Sequence, residues 1–304
     1  MWPKNEAAAK KRFGLEMFAN IRLSRARDIP FLRRIYRRSF GDGLKSEDLL
    51  FRDLYREDNC YVLTRFGTPA AMAFALPATI RGGEREWRGL YLYAVATHPR
   101  WRHRGYSSRL IERIHADAQA GGMDFALLVP ATDELFGFYA RLGYEKIGQI
   151  CRYEYAPAAP LLPEPPLAAT PVSGERYGQA RELRLDGENH LVWREELLVY
   201  QSKMLTLFKG GFYLLLEEGR EIGCAAVSWS GGVLDVQEIL VPPEKLTGAL
   251  TALAIHHGAG LARARLEAGR GEDIGLRTQA LAVICAPPAL RADLSDLYVA
   301  LVMD

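Results

Sequence analysis

Between Tyr91 and Leu110 the chain reads YLYAVATHPRWRHRGYSSRL, and here residue types and spacing suit the binding of an anion. A strand-like apolar run, Leu90 to Thr97, ends at Pro99. Arg100, Arg102, His103, Arg104 and Gly105 follow, and a helix is expected from Ser107 to Ala120, where Gly121-Gly122 stops it. Gly105 can take backbone angles closed to other residues and lets a ligand approach the main chain. The N–H groups of the first helical turn lack partners within the helix and carry the positive end of its dipole. Arg102 and Arg104 add fixed charge. The combination fits a pyrophosphate, whereas a basic turn before a helix, taken without its context, is an ordinary solvated loop.

A second chemical feature lies in Ala131 to Tyr144, ATDELFGFYARLGY. Thr132 or Asp133 caps a helix in which Leu135, Phe138, Tyr139 and Leu142 form an apolar stripe, and Gly143 ends it. A tyrosine on such a stripe either ties its hydroxyl to a core carbonyl or holds a proton ready for transfer.

The elements that must position these residues follow a regular pattern. Ile21 to Leu23 reads as a strand, and Asp28 precedes a helix over Ile29 to Phe40 with Phe31, Leu32, Ile35 and Tyr36 at helical spacing. Arg33, Arg34, Arg37 and Arg38 occupy its other face as a solvated stripe. A helix over Ser46 to Tyr55 comes next, then a hairpin of Cys60 to Arg65 and Ala70 to Ile80 about Gly67. Phe125 to Val129 is wholly apolar, as in a strand covered on both faces. With Leu90 to Thr97 and the intervening helix it makes a βαβ crossover, and the basic loop sits at the carboxyl end of its first strand, where open α/β sheets bind ligands.

Arg102-x-x-Gly105-x-Ser107 resembles the Arg/Gln-x-x-Gly-x-Gly/Ala loop of the Gcn5-related N-acetyltransferase (GNAT) superfamily, with small Ser107 in place of Gly or Ala. Phe138-Tyr139-x-x-Leu142-Gly143-Tyr144 resembles that superfamily's second motif. The resemblance covers Ile21 to Tyr155 and implies an α/β (α+β) acyl-CoA N-acyltransferase fold, a mixed twisted sheet flanked by helices. It implies acetyl-CoA as co-substrate and direct attack of a primary amine on the thioester in a ternary complex. It assigns the pyrophosphate to Arg102, His103, Arg104, Gly105, Tyr106, Ser107 and Ser108. The pantetheine arm and thioester oxygen fall to the backbone of Val95, Ala96 and Thr97, and protonation of the departing thiolate falls to Tyr139. Thr132 and Leu135 stand where the family often has Asn and Ala. The general base is not identified: His98, His103, a water relay and the C-terminal carboxylate of Asp304 are all candidates. The acceptor, a small-molecule or peptide amine, stays open. The region from Phe40 to Tyr55 should shape its site, where Asp42, Glu47, Asp48 and Asp53 would suit a cationic amine.

Residues 156 to 172 hold six of the chain's sixteen prolines, which suits an extended spacer. The expected division is an N-terminal extension (1–20), a catalytic domain (21–156), a linker (157–172) and a degenerate second copy (173–304). Two landmarks carry the duplication. Tyr61 and Gly67 are echoed by Tyr213 and Gly219, and Pro99-x-x-Arg102-x-x-Gly105 by Pro242-x-x-Lys245-x-x-Gly248, after a strand Val233 to Val241 and before a helix to about Leu261. The offset falls from 152 to 143 residues, which an insert around Arg81 to Arg88 in the first copy explains. In the second copy Thr247 replaces Arg104 and bulky Leu250 replaces Ser107, so a phosphate would be crowded out.

A chain of 304 residues accommodates two domains. A net charge of +2 argues against a general nucleic-acid binder. Cys60, Cys151, Cys224 and Cys285 lack metal-type spacing and read as reduced core thiols of a cytoplasmic protein, with no metal called for. The absence of a membrane-length apolar run or signal-type N-terminus points the same way. Homo-oligomer formation is left open. The rival reading is a non-catalytic acyl-CoA sensor or scaffold, which would bind the thioester and transfer nothing.

Overall fold

The computed structural model describes residues 19–41, 43–157, 167–269 and 276–303. Most of the expected extension (1–20) and linker (157–172), together with Asp42 and Asp304, falls outside the described residues. Contacts divide the chain into two units that interleave in sequence. One runs to Ile80, resumes over Arg85–Ile147 and takes in Ala282–Ser295; the other comprises Arg81–Glu84, Gly148–Leu281 and the chain from Asp296.

The first unit contains β1 (Ala19–Leu23), α1 (Ile29–Phe40), α2 (Gly43–Leu49), β2 (Cys60–Arg65), β3 (Thr68–Gly82), β4 (Arg85–Thr97), α3 (Tyr106–Ala120), β5 (Phe125–Leu128) and α4 (Asp133–Ala140). The expected helix Ser46 to Tyr55 is instead α2 followed by a wider π-type turn over Leu50–Leu54. The expected insert around Arg81 to Arg88 is the tip of a long β3–β4 hairpin.

Each helix follows from its apolar spacing. Leu32, Ile35 and Tyr36 are the buried face of α1, and Leu110, Ile111, Ile114 and Ala118 that of α3. The sheet sorts its side chains by alternation. Ala71, Ala73 and Ala75 of β3 face the α3 and α4 core. Phe74 turns the other way, toward Phe51, Tyr55 and Tyr93, with ring centroids 6.3, 6.4 and 6.5 Å away. Thus α1 and the turn after α2 cover one face, and α3 and α4 the other.

In this sheet β1 pairs antiparallel with β2, and β2 with β3. β4 pairs parallel with β5 through Gly89↔Phe125, Leu90↔Ala126 and Tyr91↔Leu127. Gly89 is required there, since a Cβ would stand 2.4 Å from the Phe125 carbonyl oxygen. The last strand comes from the far end of the chain. Val283, Ile284 and Cys285, in β13 (Thr278–Cys285), pair antiparallel with Leu128, Leu127 and Ala126 of β5.

The second unit repeats this order with β7 (Leu167–Val172), α5 (Gly174–Arg184), α6 (Glu195–Leu207), β9 (Gly211–Glu217), β10 (Arg220–Ser230), β11 (Val233–Leu240), α7 (Leu246–His257) and β12 (Ala262–Glu267). A short strand, β8 (His190–Val192), lies between α5 and α6. β7, β9, β10 and β11 pair antiparallel in turn, and β11 pairs parallel with β12. The sixth place is filled from the first half of the sequence, where Ile150 to Tyr155 of β6 (Glu145–Tyr155) run antiparallel to β12. All four cysteines are buried.

Candidate active site

The parallel register of β4 with β5 ends at Tyr91↔Leu127, while β4 continues to Thr97. Val95, Ala96 and Thr97 therefore have no register partner in β5. Within this free end Ala94 is left-handed, with φ of 49°. A non-glycine residue there costs about 1–2 kcal/mol and kinks the strand. No sequence signal marks it, since alanine does not advertise a positive φ.

Beyond Thr97 the chain makes a 3-10 turn over Pro99–Trp101 and enters the basic loop. His103 and Gly105 have φ of 61° and 70°, and Gly105 is the N-cap of α3. Left-handed residues alternating with ordinary ones turn successive N–H groups to one side, a concavity suited to anions. Arg102, His103 and Arg104 are exposed, and Tyr106 is buried at the start of the helix. The Ser107 and Thr97 hydroxyls lie 2.7 Å apart, tying the end of β4 to the first turn of α3. A glycine or alanine at 107 would lack this bond. The half-buried Trp101 lies beneath two guanidinium groups, Arg65 at 4.3 Å and Arg104 at 5.2 Å from its ring centroid.

Tyr139 belongs to the same core cluster as Tyr106, Leu110, Leu142 and Tyr144, against which Val95 and Trp101 pack. Its ring meets Phe138 and Tyr144 edge-on, at 5.0 and 5.7 Å. Burial pushes its hydroxyl up to about 12, so it stays protonated at neutral pH. Among the described residues no hydrogen bond ties that hydroxyl, whereas Tyr144 bonds His115 Nε2 at 2.8 Å. α4 ends at Ala140, short of the expected Leu142, and Thr132 caps it without a side-chain bond.

Of the acidic residues expected to meet a cationic acceptor, the described ones, Glu47, Asp48 and Asp53, are already partnered. Glu47 is buried and accepts from Arg37 Nε at 2.7 Å and from Arg33 Nη1 at 3.2 Å. Asp48 pairs with Arg33, and Asp53 with Arg52. Half of the arginine stripe on α1 therefore serves to neutralise a buried carboxylate. His98 donates its backbone N–H to Ala70 at 2.9 Å, and its Nδ1 accepts from Arg100 N–H at 3.3 Å. Partial burial, then Arg38, Arg100, Arg34 and Arg102, hold its imidazole below the usual range and therefore neutral at pH 7.

Among the described residues the second unit has no equivalent loop, for a reason other than the expected crowding by Leu250. α7 begins at Leu246, with Lys245 in ordinary helical geometry as its N-cap, so Gly248 lies inside the helix. Leu250 points into the core, fully buried. The expected helix end near Leu261 is at His257, capped by left-handed Gly258. β11 and β12 part after Val236↔Ala264, as β4 and β5 do, but the C-terminal segment lies there. Leu301 N–H donates to Glu238 Oε1 at 3.3 Å, Arg265 Nη1 to the Ala300 carbonyl at 3.3 Å, and Gln201 Nε2 to the Val302 carbonyl at 3.4 Å. Glu238, wholly buried, also accepts from Arg181 Nε at 2.9 Å and from the Tyr177 hydroxyl.

Residues 20–147 match the family model of the acetyltransferase (GNAT) domain. Among solved structures, the chain is similar to a GCN5-related N-acetyltransferase from Kribbella flavida: 20% identity, TM-score 0.68, covering 89% of this chain and 71% of that one. A GCN5-related N-acetyltransferase from Anabaena variabilis gives 16%, 0.67, 88% and 72%. Eis1 from Mycobacterium abscessus gives 12%, 0.62, 88% and 73%. At these identities the likeness is one of fold. No curated protein matches the chain. Among the described residues no helix is long and apolar enough to cross a membrane.

Proposed function

We propose that the GNAT domain of the first unit transfers the acetyl group of acetyl-CoA to a primary amine by direct attack in a ternary complex. One observation carries this reading. The parted end of β4, the glycine-capped start of α3 and the protonated Tyr139 all belong to one side-chain cluster. The N–H groups around Gly105 to Ser108, with Arg102 and Arg104, receive the pyrophosphate. The pantetheine arm extends along Val95 to Thr97, where the backbone has no strand partner in β5, and the thioester oxygen finds its donor there. The amine attacks the carbonyl carbon, the tetrahedral intermediate collapses, and the C–S bond breaks. Tyr139 donates its hydroxyl hydrogen to sulfur as charge builds, and the proton lost by the ammonium leaves through solvent or a basic group such as neutral His98. The second unit binds no acyl-CoA, because its loop is consumed by α7 and its strand gap by the C-terminal segment.

Calorimetric titration of the full-length protein with acetyl-CoA, followed by an amine panel read as free thiol, tests this. One saturable site and thiol release dependent on an amine are expected. Binding without release on any amine would favour a sensor; no binding would remove the proposal.

A further inference from the structure

We infer that the acceptor amine carries an oxyanion, a carboxylate or a phosphate, which Arg34 and Arg38 of α1 receive together with Arg100. This deepens the acetyltransferase reading and rests on it. β1 runs opposite to β4, so α1, which follows β1, must return toward the carboxyl end of β4. α1 accordingly packs against β4 and the Pro99–Trp101 turn. Arg34 and Arg38 are one helical turn apart, exposed on one face, and close enough to His98 to oppose its protonation, as are Arg100 and Arg102. Among the described residues none of Arg34, Arg38 and Arg100 pairs with a carboxylate. The acids on α2 and in the turn after it are taken by Arg33, Arg37 and Arg52.

Like charges one turn apart on a helix repel, so the arrangement is kept at a cost. A place in the last turn of α1 explains Arg38 through the helix dipole, but neither Arg34 nor Arg100. The phosphates of the co-substrate are the other candidate anion. Their loop opens into α3, which packs on the sheet face opposite α1. A guanidinium group matches an oxyanion in charge and in its fork of donors, and the same field repels a polyamine or an aminoglycoside.

The test uses the full-length protein and matched acceptors: several amino acids, each beside its amide and its decarboxylated amine, and ethanolamine phosphate beside ethanolamine. The anionic member of at least one series should show kcat/KM at least about tenfold higher, an advantage that shrinks with added salt. Which series responds distinguishes carboxylate from phosphate. The double variant Arg34→Gln/Arg38→Gln should lose the advantage while KM for acetyl-CoA and the melting temperature stay unchanged. Preference for neutral or polycationic amines overturns the inference, as does acetyl-CoA binding with no turnover of any anionic amine. A weaker acetyl-CoA affinity in the double variant also overturns it, by assigning the arginines to the co-substrate. Failure of the unaltered protein to bind acetyl-CoA instead removes the acetyltransferase reading itself.

Discussion

Replacing Tyr139 by phenylalanine deletes one oxygen and leaves the ring that packs on Phe138 and Tyr144. Since no hydrogen bond holds that hydroxyl among the described residues, folding should be nearly indifferent, with a melting temperature within about 2 °C of the parent. The catalytic effect can be bounded. Burial holds the hydroxyl near about 12, whereas an unperturbed thiol lies near about 8.5. Full proton transfer to a finished thiolate would then be uphill by roughly 3.5 units, about 5 kcal/mol. The hydroxyl acts best as a donor to sulfur while charge accumulates. We therefore expect kcat to fall by about 10²–10³, the lower half of the range for a positioned acid, or about 3–4 kcal/mol in the barrier. Acetyl-CoA affinity should be unchanged, because the interaction matures only in the transition state. The pH–rate profile should show no limb from Tyr139 below about pH 10, since ionisation begins only as pH nears the raised value. Stopped-flow thiol release under single turnover, on both proteins from pH 6 to 10, measures all three. Equal single-turnover rates would refute the argument and leave Tyr139 a packing residue.

Arg104→Ala should weaken acetyl-CoA and dephospho-acetyl-CoA alike by about 1.5–3 kcal/mol in calorimetry if the contact is to the pyrophosphate. Gly105→Val should be at least as damaging, since φ of 70° at this N-cap strains a β-branched residue and its side chain would enter the anion site. A fragment ending at residue 156 should express poorly or aggregate, because Val283 to Cys285 no longer cover β5 and leave an apolar strand edge; a soluble fragment with cooperative melting would contradict this. His115, held down to about 4 by burial, is neutral in the fold. Its folded value lies below the unfolded one near 6.5, so its contribution is complete above about pH 6.5 and lost as pH falls toward 4. Denaturant titrations across that window should show up to about 3 kcal/mol of loss, much reduced in His115→Gln.

Chemistry that is local in sequence was legible in the sequence. A strand end, a glycine and a helix start are adjacent in the chain, so the basic loop and its Gly105 cap could be read from residue types alone. The same holds for the buried faces of α1 and α3, which 3.6-residue spacing dictates. Spacing also put Tyr139 on an apolar stripe, but only packing shows its hydroxyl raised by burial and, among the described residues, untied. Pattern says which face of a strand is buried and nothing about its neighbour. That is why β13 beside β5, and the second half of β6 beside β12, emerge only in the folded chain. Partners of charged groups are equally non-local: the acids on α2 looked available until Arg33 and Arg37 were found on Glu47. The echo Pro242-x-x-Lys245-x-x-Gly248 falls between a strand and a helix, as its counterpart does, but spacing could not say where that helix begins. Where a helix begins depends on what its first turn can bury. Leu246, Ala249 and Leu250 gain more by packing in the second core than they would in an open loop.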